Sequence, residues 1–171
     1  MKKDAVISAL GQHRYSLSRI WDEDKGKVLF IMLNPSTANA IHDDPTTIRC
    51  INYAKKWGYG GLTIGNMYPY RTKSPKELMA WKIFGSRYSV FKKNQEHVKE
   101  MAEEAHVIVL AWGANYEGLF PVWLFQFGHK MFYLELCKDG NTPKHPLGLS
   151  KKIDWYKFYD LQTRYDNGWI I

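Results

Sequence analysis

The chain has 171 residues, 45% of them hydrophobic, which is enough for a single globular domain over 1–171 with a full core. No apolar run approaches the roughly 20 residues of a membrane span, and no signal-type segment follows the N-terminus, so we expect a soluble cytoplasmic protein. Two isolated cysteines and six histidines without ligand spacing indicate no disulfide framework, no metal and no cofactor.

Lysine and arginine outnumber the acidic residues by 24 to 17, which gives a net charge of +7, and 15% of the residues are aromatic. A basic surface attracts polyanions, and aromatic faces can stack on bases. DNA is therefore the first partner to consider for what we expect to be a monomer, although most aromatic side chains simply pack in cores.

The first predicted strand covers 15–21, with Tyr15, Leu17 and Trp21 on one face. Arg19 interrupts this alternation, and residues 1–14 show no clear period.

The second strand is an apolar run at 28–33 that stops in a polar turn. Six apolar residues in a row predict a strand buried on both faces, and Pro35 cannot continue the ladder because it has no N–H. The chain thus leaves the sheet at Asn34, where open α/β sheets bind their ligands. The polar residues that follow, Asn34, Ser36, Thr37 and Asn39, also favour helix N-caps and Asx turns. The local sequence therefore fits both a ligand site and a cap or turn.

A helix is predicted to begin after Asp44, which occupies the N-cap position, with Pro45 at the first helical position. Gly58 follows as a C-terminal cap. The apolar residues at helical spacing are Ile48, Ile51, Ala54 and Trp57.

The strand at 62–67 again ends in an asparagine, Asn66, and Pro69 follows shortly afterwards. Two neighbouring strands that end in this way predict that the amides of Asn34 and Asn66 face the same crevice. Taken alone, Asn66 also fits a turn residue.

Helices and strands alternate along the rest of the chain. Ser74 and Glu77 form a capping box that opens a helix. The remaining elements are a helix at 87–104, a strand from Val107 that ends in Trp112 and Gly113, a buried helix from Pro121 and a strand at 130–137. This order predicts an α/β fold, a three-layer αβα sandwich with a mainly parallel central sheet of four to five strands.

Several motifs closely resemble, over most of the chain, an uncharacterised bacterial and phage family that has no assigned function. These motifs are Leu33-Asn-Pro-Ser-Thr-Ala38, Asp44-Pro-Thr46, Trp57-Gly-Tyr59, Ala111-Trp-Gly113 and His145-Pro-Leu147.

The order of these motifs also resembles, more distantly, the uracil-DNA glycosylase superfamily, above all its mismatch-specific thymine/uracil branch. The strand that ends in Asn34-Pro35, the strand that ends in Asn66, the strand before Gly113 and the loop His145-Pro-Leu-Gly-Leu-Ser150 carry the resemblance. It implies a uracil-DNA glycosylase-like fold in which Asn34 orients the hydrolytic water and His145 stabilises the departing base. Asn66, Trp112, Gly113 and Pro35 would then bind the base.

The resemblance also implies contacts with DNA. Leu147 or Leu149 would fill the gap that a flipped nucleotide leaves in the duplex. The residues expected to contact phosphates are Lys144, Lys151 and Lys152, with Arg71 and Lys73 from the loop after Asn66.

The sequence departs from that superfamily in two places. Ser36 replaces the glycine usual after Asn-Pro, and Leu147 replaces the serine of the histidine motif, which removes an expected phosphate contact. There is no carboxylate at Asn34 itself; Asp43 or Asp44 in the following loop could supply a base or a charge that stabilises the cation, although Asp44 fits the helix N-cap better.

We therefore expect a DNA glycosylase-like enzyme, in DNA repair or phage defence, that hydrolyses the N-glycosidic bond of a flipped modified or mismatched pyrimidine. The alternatives are a non-catalytic module that binds nucleic acid or a modified base, and a nucleoside or nucleotide hydrolase or transferase. His145 also fits a turn or packing residue, and Trp112 a core residue.

Overall fold

A computed structural model describes residues 1–116 and 120–149 and the backbone of 159–160. The strands are β1 Lys2–Ile7, β2 Arg14–Ile20, β3 Lys27–Met32, β4 Gly61–Asn66, β5 Val107–Leu110, β6 Met131–Tyr133 and β7 Tyr159–Asp160. The helices are α1 Pro45–Lys56, α2 Pro75–Ala80 and α3 Tyr88–Glu104, a π-helical turn Trp81–Gly85, and 3₁₀ helices Val122–Lys130 and Pro146–Gly148.

The strands form one mixed sheet in the order β1-β2-β4-β3-β5-β6-β7. The four strands β4, β3, β5 and β6 are parallel, as the sequence predicts. The expected count of four to five strands is too low, because β1, β2 and β7 add antiparallel pairings at the two edges. The charged start of β1 hid it, since edge strands tolerate lysine and aspartate.

Helices pack on both faces of the parallel strands, which confirms the three layers. Val28 and Phe30 belong to a core cluster with α1, whereas Leu29 and Ile31 belong to a second cluster with α3. This alternation follows from the two-residue period of a strand. All four side chains are fully buried, so β3 is the central strand of the core.

Helix α1 begins as predicted. Asp44 Oδ1 accepts hydrogen bonds from the backbone N–H of Thr47 at 2.8 Å and from its hydroxyl at 2.9 Å. Gly58 follows the helix with a φ of +81°, a conformation that glycine adopts without strain. Ile48, expected in the apolar stripe, is instead 49% exposed.

Arg19 does not interrupt β2, because its side chain is fully buried together with that of Leu17. Its Nε donates to Asp43 Oδ1 at 2.6 Å, and its Nη2 donates to the carbonyl of Asn39 at 2.5 Å. A paired and hydrogen-bonded guanidinium can occupy a core position that an unpaired charge cannot. Arg19 therefore joins β2 to the loop 36–44.

Within the part of the chain that the structure describes, no helix has the length and apolar character needed to cross a membrane.

Candidate functional site

A cavity of about 420 Å³ lies beyond the carboxyl ends of β3 and β5. Its volume is in the range of pockets that hold small molecules. The polar and aromatic residues along its wall are Asn34, Tyr68, Lys73, Ser74, Lys82, Trp112, Asn115 and His145, and Gly113 also lines it.

Asn34 reaches this cavity two residues after β3 ends. Its Nδ2 lies close to the carbonyls of Thr72 at 2.8 Å, Pro35 at 3.1 Å and Tyr70 at 3.3 Å. Three carbonyls around one atom identify it as the amide nitrogen. Asn34 Oδ1 accepts no hydrogen bond from any described residue, so Asn34 offers the cavity an acceptor.

His145 offers the cavity a donor. The backbone N–H of Leu147 donates to His145 Nδ1 at 3.3 Å, so the neutral ring carries its hydrogen on Nε2. Burial lowers the pKa of His145 below its usual value, and the nearby negative charge of Asp44 partly opposes this. The imidazole is therefore neutral at pH 7, with Nε2–H free of partners among the described residues.

Backbone contacts fix the position of the His145 loop. The N–H of Gly113 donates to the carbonyl of Pro143 at 2.9 Å, and Arg49 Nη2 donates to the carbonyl of Leu149 at 2.6 Å. Gly113 has a φ of +79°, and a Cβ at this position would lie 3.0 Å from His145 Cβ. Glycine is thus required where the end of β5 meets this loop.

Trp112 belongs both to the core and to the cavity wall. The indole is 5% exposed and belongs to the core cluster on the α3 face, where it packs 5.4 Å from the ring of Tyr116. It also forms part of the cavity wall. Pro35 is buried and contributes its carbonyl to Asn34 rather than a surface to the cavity.

Asn66 does not line this cavity, so the two amides do not face one crevice as predicted. Asn66 lines a second cavity of about 240 Å³ together with Asn94, Phe91 and Tyr116. Its Oδ1 accepts from Arg14 Nη2 at 3.3 Å, while its Nδ2 is buried without a partner among the described residues. Asn94 Nδ2 donates to the carbonyl of Asn66 at 2.8 Å.

Arg14 is a buried cation, 3% exposed, that makes no ion pair with a described residue. Its Nη1 donates to the carbonyl of Ala38 at 3.0 Å, and burial lowers its pKa to about 10. Asp44 counters that shift by Coulomb attraction. Arg14 thus depends on neutral acceptors, with Asn66 as its side-chain acceptor.

The two candidate carboxylates do not line the cavity. Asp43 is held by Arg19 and by Lys3, whose Nζ lies 2.6 Å from Asp43 Oδ2, and these contacts lower its pKa against the effect of burial. Asp44 caps α1.

Of the residues expected to contact DNA, some are exposed and others are buried or paired within the protein. Lys73 is exposed at the cavity wall, and Leu147 is 48% exposed. Leu149 is buried, and Lys144 forms an ion pair with Glu135 at 2.7 Å. Arg71 Nη1 donates to the carbonyl of Gly11 at 3.0 Å. Lys151 and Lys152 lie outside the described residues.

Sequence reasoning missed several polar or aromatic positions, among them Tyr68, Lys82, Arg14 and Asn94. Tyr68 follows Asn66 by two residues, and Lys82 lies with its Nζ 5.1 Å from the centre of the Tyr68 ring, so both complete the cavity wall. Tyr68 could have been found from its place after a strand end. Arg14 and Asn94 carry no such signal, because nothing local distinguishes a buried polar residue from an exposed one.

Among the described residues, no three His, Cys, Asp or Glu side chains lie close enough together to hold a metal ion.

A comparison with protein families gives one match. The family described as "Protein of unknown function (DUF1643)" matches residues 14–147, a range that includes Asn34, Trp112, Gly113 and His145. No curated protein and no solved structure gives a significant match. Because the family match covers most of the chain, the protein belongs to the DUF1643 family.

Proposed function

We propose that this protein is a DNA glycosylase-like enzyme that hydrolyses the N-glycosidic bond of a modified or mismatched pyrimidine held in the 420 Å³ cavity. We further propose that its α/β sandwich is a uracil-DNA glycosylase-like fold. One observation carries the proposal: Asn34 brings an acceptor, and His145 a neutral donor, to the same cavity.

These two groups suit the two changes that the reaction requires. The bond between C1′ and the base nitrogen breaks, its electron pair leaves with the base, and negative charge develops on the base oxygens. A donor aimed at such an oxygen lowers the barrier by up to about 3–4 kcal/mol, and His145 Nε2–H is suited to this role.

Water then forms the new bond to C1′ and gives up one proton, which the departing base ultimately takes. Asn34 Oδ1 is too weak a base to remove that proton first, but it can hold the water in line with the electron-poor carbon. The side chain of Asn34 is itself held in one orientation, because its amide nitrogen donates to the carbonyls of Pro35 and Thr72.

The surrounding charges favour an anionic substrate. Lys73 and Lys82 belong to the cavity wall, and no aspartate or glutamate among the described residues does. Lysines at this position attract the phosphates that flank a flipped nucleotide. The ring of Tyr68 lies beneath Lys82 Nζ, and this cation–π contact holds the ammonium at the cavity wall.

A panel of DNA duplexes tests the proposal. Substrates with uracil, mismatched thymine or modified pyrimidines are incubated with the protein, and abasic sites are detected by alkaline cleavage. At least one substrate should yield abasic product, and His145→Ala should reduce that yield strongly. His42→Ala is the matched control, because His42 is exposed outside the cavity wall.

A second candidate is a non-catalytic module that binds a modified base in the same cavity. The lack of a described carboxylate in the cavity wall favours it, since Asp43 is occupied by Lys3 and Arg19. Tight binding of one substrate without abasic product on any of them would select this module over the enzyme.

A further inference from the structure

Most of the net charge of the chain lies in one segment beside the cavity. Residues 71–93 contain seven lysines and arginines and one acidic residue, Glu77, and so carry six of the seven net positive charges. We call this segment the basic–aromatic surface. Five of its cations are exposed and make no ion pair with a described residue, namely Lys73, Lys76, Arg87, Lys92 and Lys93. Of these, Lys93 has its Nζ 4.9 Å from the centre of the Tyr15 ring.

The same segment exposes large apolar side chains. Ile83 is 64% exposed, Tyr88 is 82% exposed and Phe84 is 87% exposed. Burial is the normal outcome for a phenylalanine, and isolated exposed ones need no explanation, but three such residues within six positions form a patch.

The patch is presented by an anchored turn. Trp81, at the start of the π-helical turn, is buried, and its ring stacks on that of Tyr70 with centres 5.3 Å apart and planes 6° apart. Gly85 closes the turn so tightly that a Cβ there would lie 2.8 Å from Trp81 Cδ1. Single π-helical turns of this kind are frequent at functional sites.

The basic–aromatic surface is continuous with the cavity. Lys73 and Lys82 belong to both, as does Met79 at the end of α2. A ligand that crosses the surface therefore meets the cavity wall without leaving the positive charge.

We propose that the basic–aromatic surface binds a nucleic-acid strand, with Phe84 and Tyr88 stacking on bases and Lys76, Arg87 and Lys92 contacting phosphates. This inference rests on the proposed function, since it supplies the strand from which one nucleotide enters the cavity. Regularly spaced phosphates match separated single cations, and bases present flat faces to exposed aromatic rings. It adds base stacking at residues 81–88 to the gap-filling role expected of Leu147.

Binding is measured by fluorescence anisotropy of a labelled oligothymidine against the full chain. Phe84→Ala should weaken binding about tenfold, because base–aromatic stacking is lost. Leu10→Ala is the matched control, since Leu10 is 85% exposed but belongs to the β1–β2 turn. Equal affinities of the two variants would overturn the proposal.

The phosphate contacts have a separate measurement. Lys76→Ala should reduce the slope of log K against log salt by about 0.7, the contribution of one phosphate on a single strand. Lys25→Ala removes an equal charge from the turn before β3 and should leave the slope unchanged. A slope that changes equally in both variants would show a general charge effect and contradict the assignment.

Photocross-linking locates the contact directly. An oligonucleotide that contains iodouracil should cross-link to a peptide that includes Phe84 or Tyr88, and cross-links confined to other peptides would overturn the inference. Anionic lipid vesicles serve as a second arm. Binding to vesicles with none to the oligonucleotide would assign the patch to a membrane surface instead.

These outcomes separate the inference from the proposed function. Oligonucleotide binding that depends on Phe84, with no abasic product on any substrate, would keep the basic–aromatic surface and reject the glycosylase. Abasic product from a Phe84→Ala variant with unchanged affinity would keep the glycosylase and reject the surface.

Discussion

Asn34 lies two residues beyond β3, and Asn66 is the last residue of the neighbouring parallel strand β4. A proline follows each of them within three residues, yet their side chains have different environments. Asn34 satisfies its amide nitrogen with backbone carbonyls and leaves its oxygen at the 420 Å³ cavity. Asn66 gives its oxygen to the buried Arg14 and leaves its nitrogen without a partner among the described residues.

The strand register explains the difference. Met32 of β3 pairs with Asn66 of β4, so Asn66 is the last residue of the paired sheet, whereas Asn34 lies two residues beyond that point. A residue inside the sheet is held between neighbouring layers and is 3% exposed in this case. A residue beyond it can reach the crevice. Similar motifs thus lead to a buried hydrogen-bonded position at one strand end and to a position in the cavity wall at the other.

The largest expected effect is on turnover in Asn34→Ala. If Asn34 Oδ1 orients the attacking water, its loss should slow formation of abasic sites about 100-fold in single-turnover assays. Asn141→Ala is the control, since Asn141 is exposed outside the cavity wall. An unchanged rate in Asn34→Ala would remove Asn34 from the site.

The next effect is on stability, and it should be larger at Asn66. Asn66→Ala removes the side-chain acceptor of the buried guanidinium of Arg14 and should lower the free energy of unfolding by about 2 kcal/mol in urea. Asn34→Ala removes hydrogen bonds to neutral carbonyls only and should lower it by about 1 kcal/mol. The reverse order would contradict the comparison.

A glycine pair tests the link between β5 and the His145 loop. Gly113 and Gly58 have nearly equal φ values of +79° and +81°, but only Gly113 has a neighbour in contact range, His145 Cβ. Alanine at either position would be strained by the positive φ, which should lower the free energy of unfolding by about 1 kcal/mol. Gly113→Ala should lower the melting temperature more than Gly58→Ala does, and only Gly113→Ala should slow the formation of abasic sites. Equal melting temperatures and equal rates in the two variants would show that the contact between Gly113 and His145 is unimportant.

The smallest effect concerns pH. Burial lowers the pKa of His145, so the unfolded chain binds its proton more readily than the folded protein does. Stability should therefore be constant above the unfolded pKa of about 6.5 and fall as the pH drops below it. His145→Gln should reduce this fall in urea titrations. Burial also lowers the pKa of His13, which contributes to the same fall in stability. The contribution of His145 is therefore the difference in this fall between the unsubstituted protein and the His145→Gln variant.

The parallel core could be predicted because its signals are local. The run at 28–33 and the cap formed by Asp44 and Pro45 each specify one element without reference to the rest of the chain. The edge strand β1 could not be predicted, because exposed and half-buried residues alternate along it and its first three residues are all charged. Such a strand is defined by its partner β2 rather than by its own pattern.

The site could be predicted in part for the same reason. Three residues of the cavity wall lie where the sequence has a glycine or proline, two of them at the end of an apolar run. They are Asn34, Gly113 and His145. Lys82 and Phe84 belong to a π-helical turn, which no periodicity indicates. The position of Asn66 within the sheet could not be predicted, because it depends on the pairing of Asn66 with Met32. That pairing is a property of two strands and cannot be read from one segment.

The ion pairs of Asp43 couple the edge of the sheet to the loop 36–44. Arg19 of β2 and Lys3 of β1 both bind this carboxylate, and Lys3 also donates to the carbonyl of Ile41 at 3.2 Å. Detachment of the loop from the folded hairpin of β1 and β2 would break both ion pairs and leave the buried guanidinium of Arg19 without its charge partner. In native-state hydrogen exchange the two should open as one cooperative unit, so that motion at the edge of the sheet is transmitted to the turn that carries Asn34.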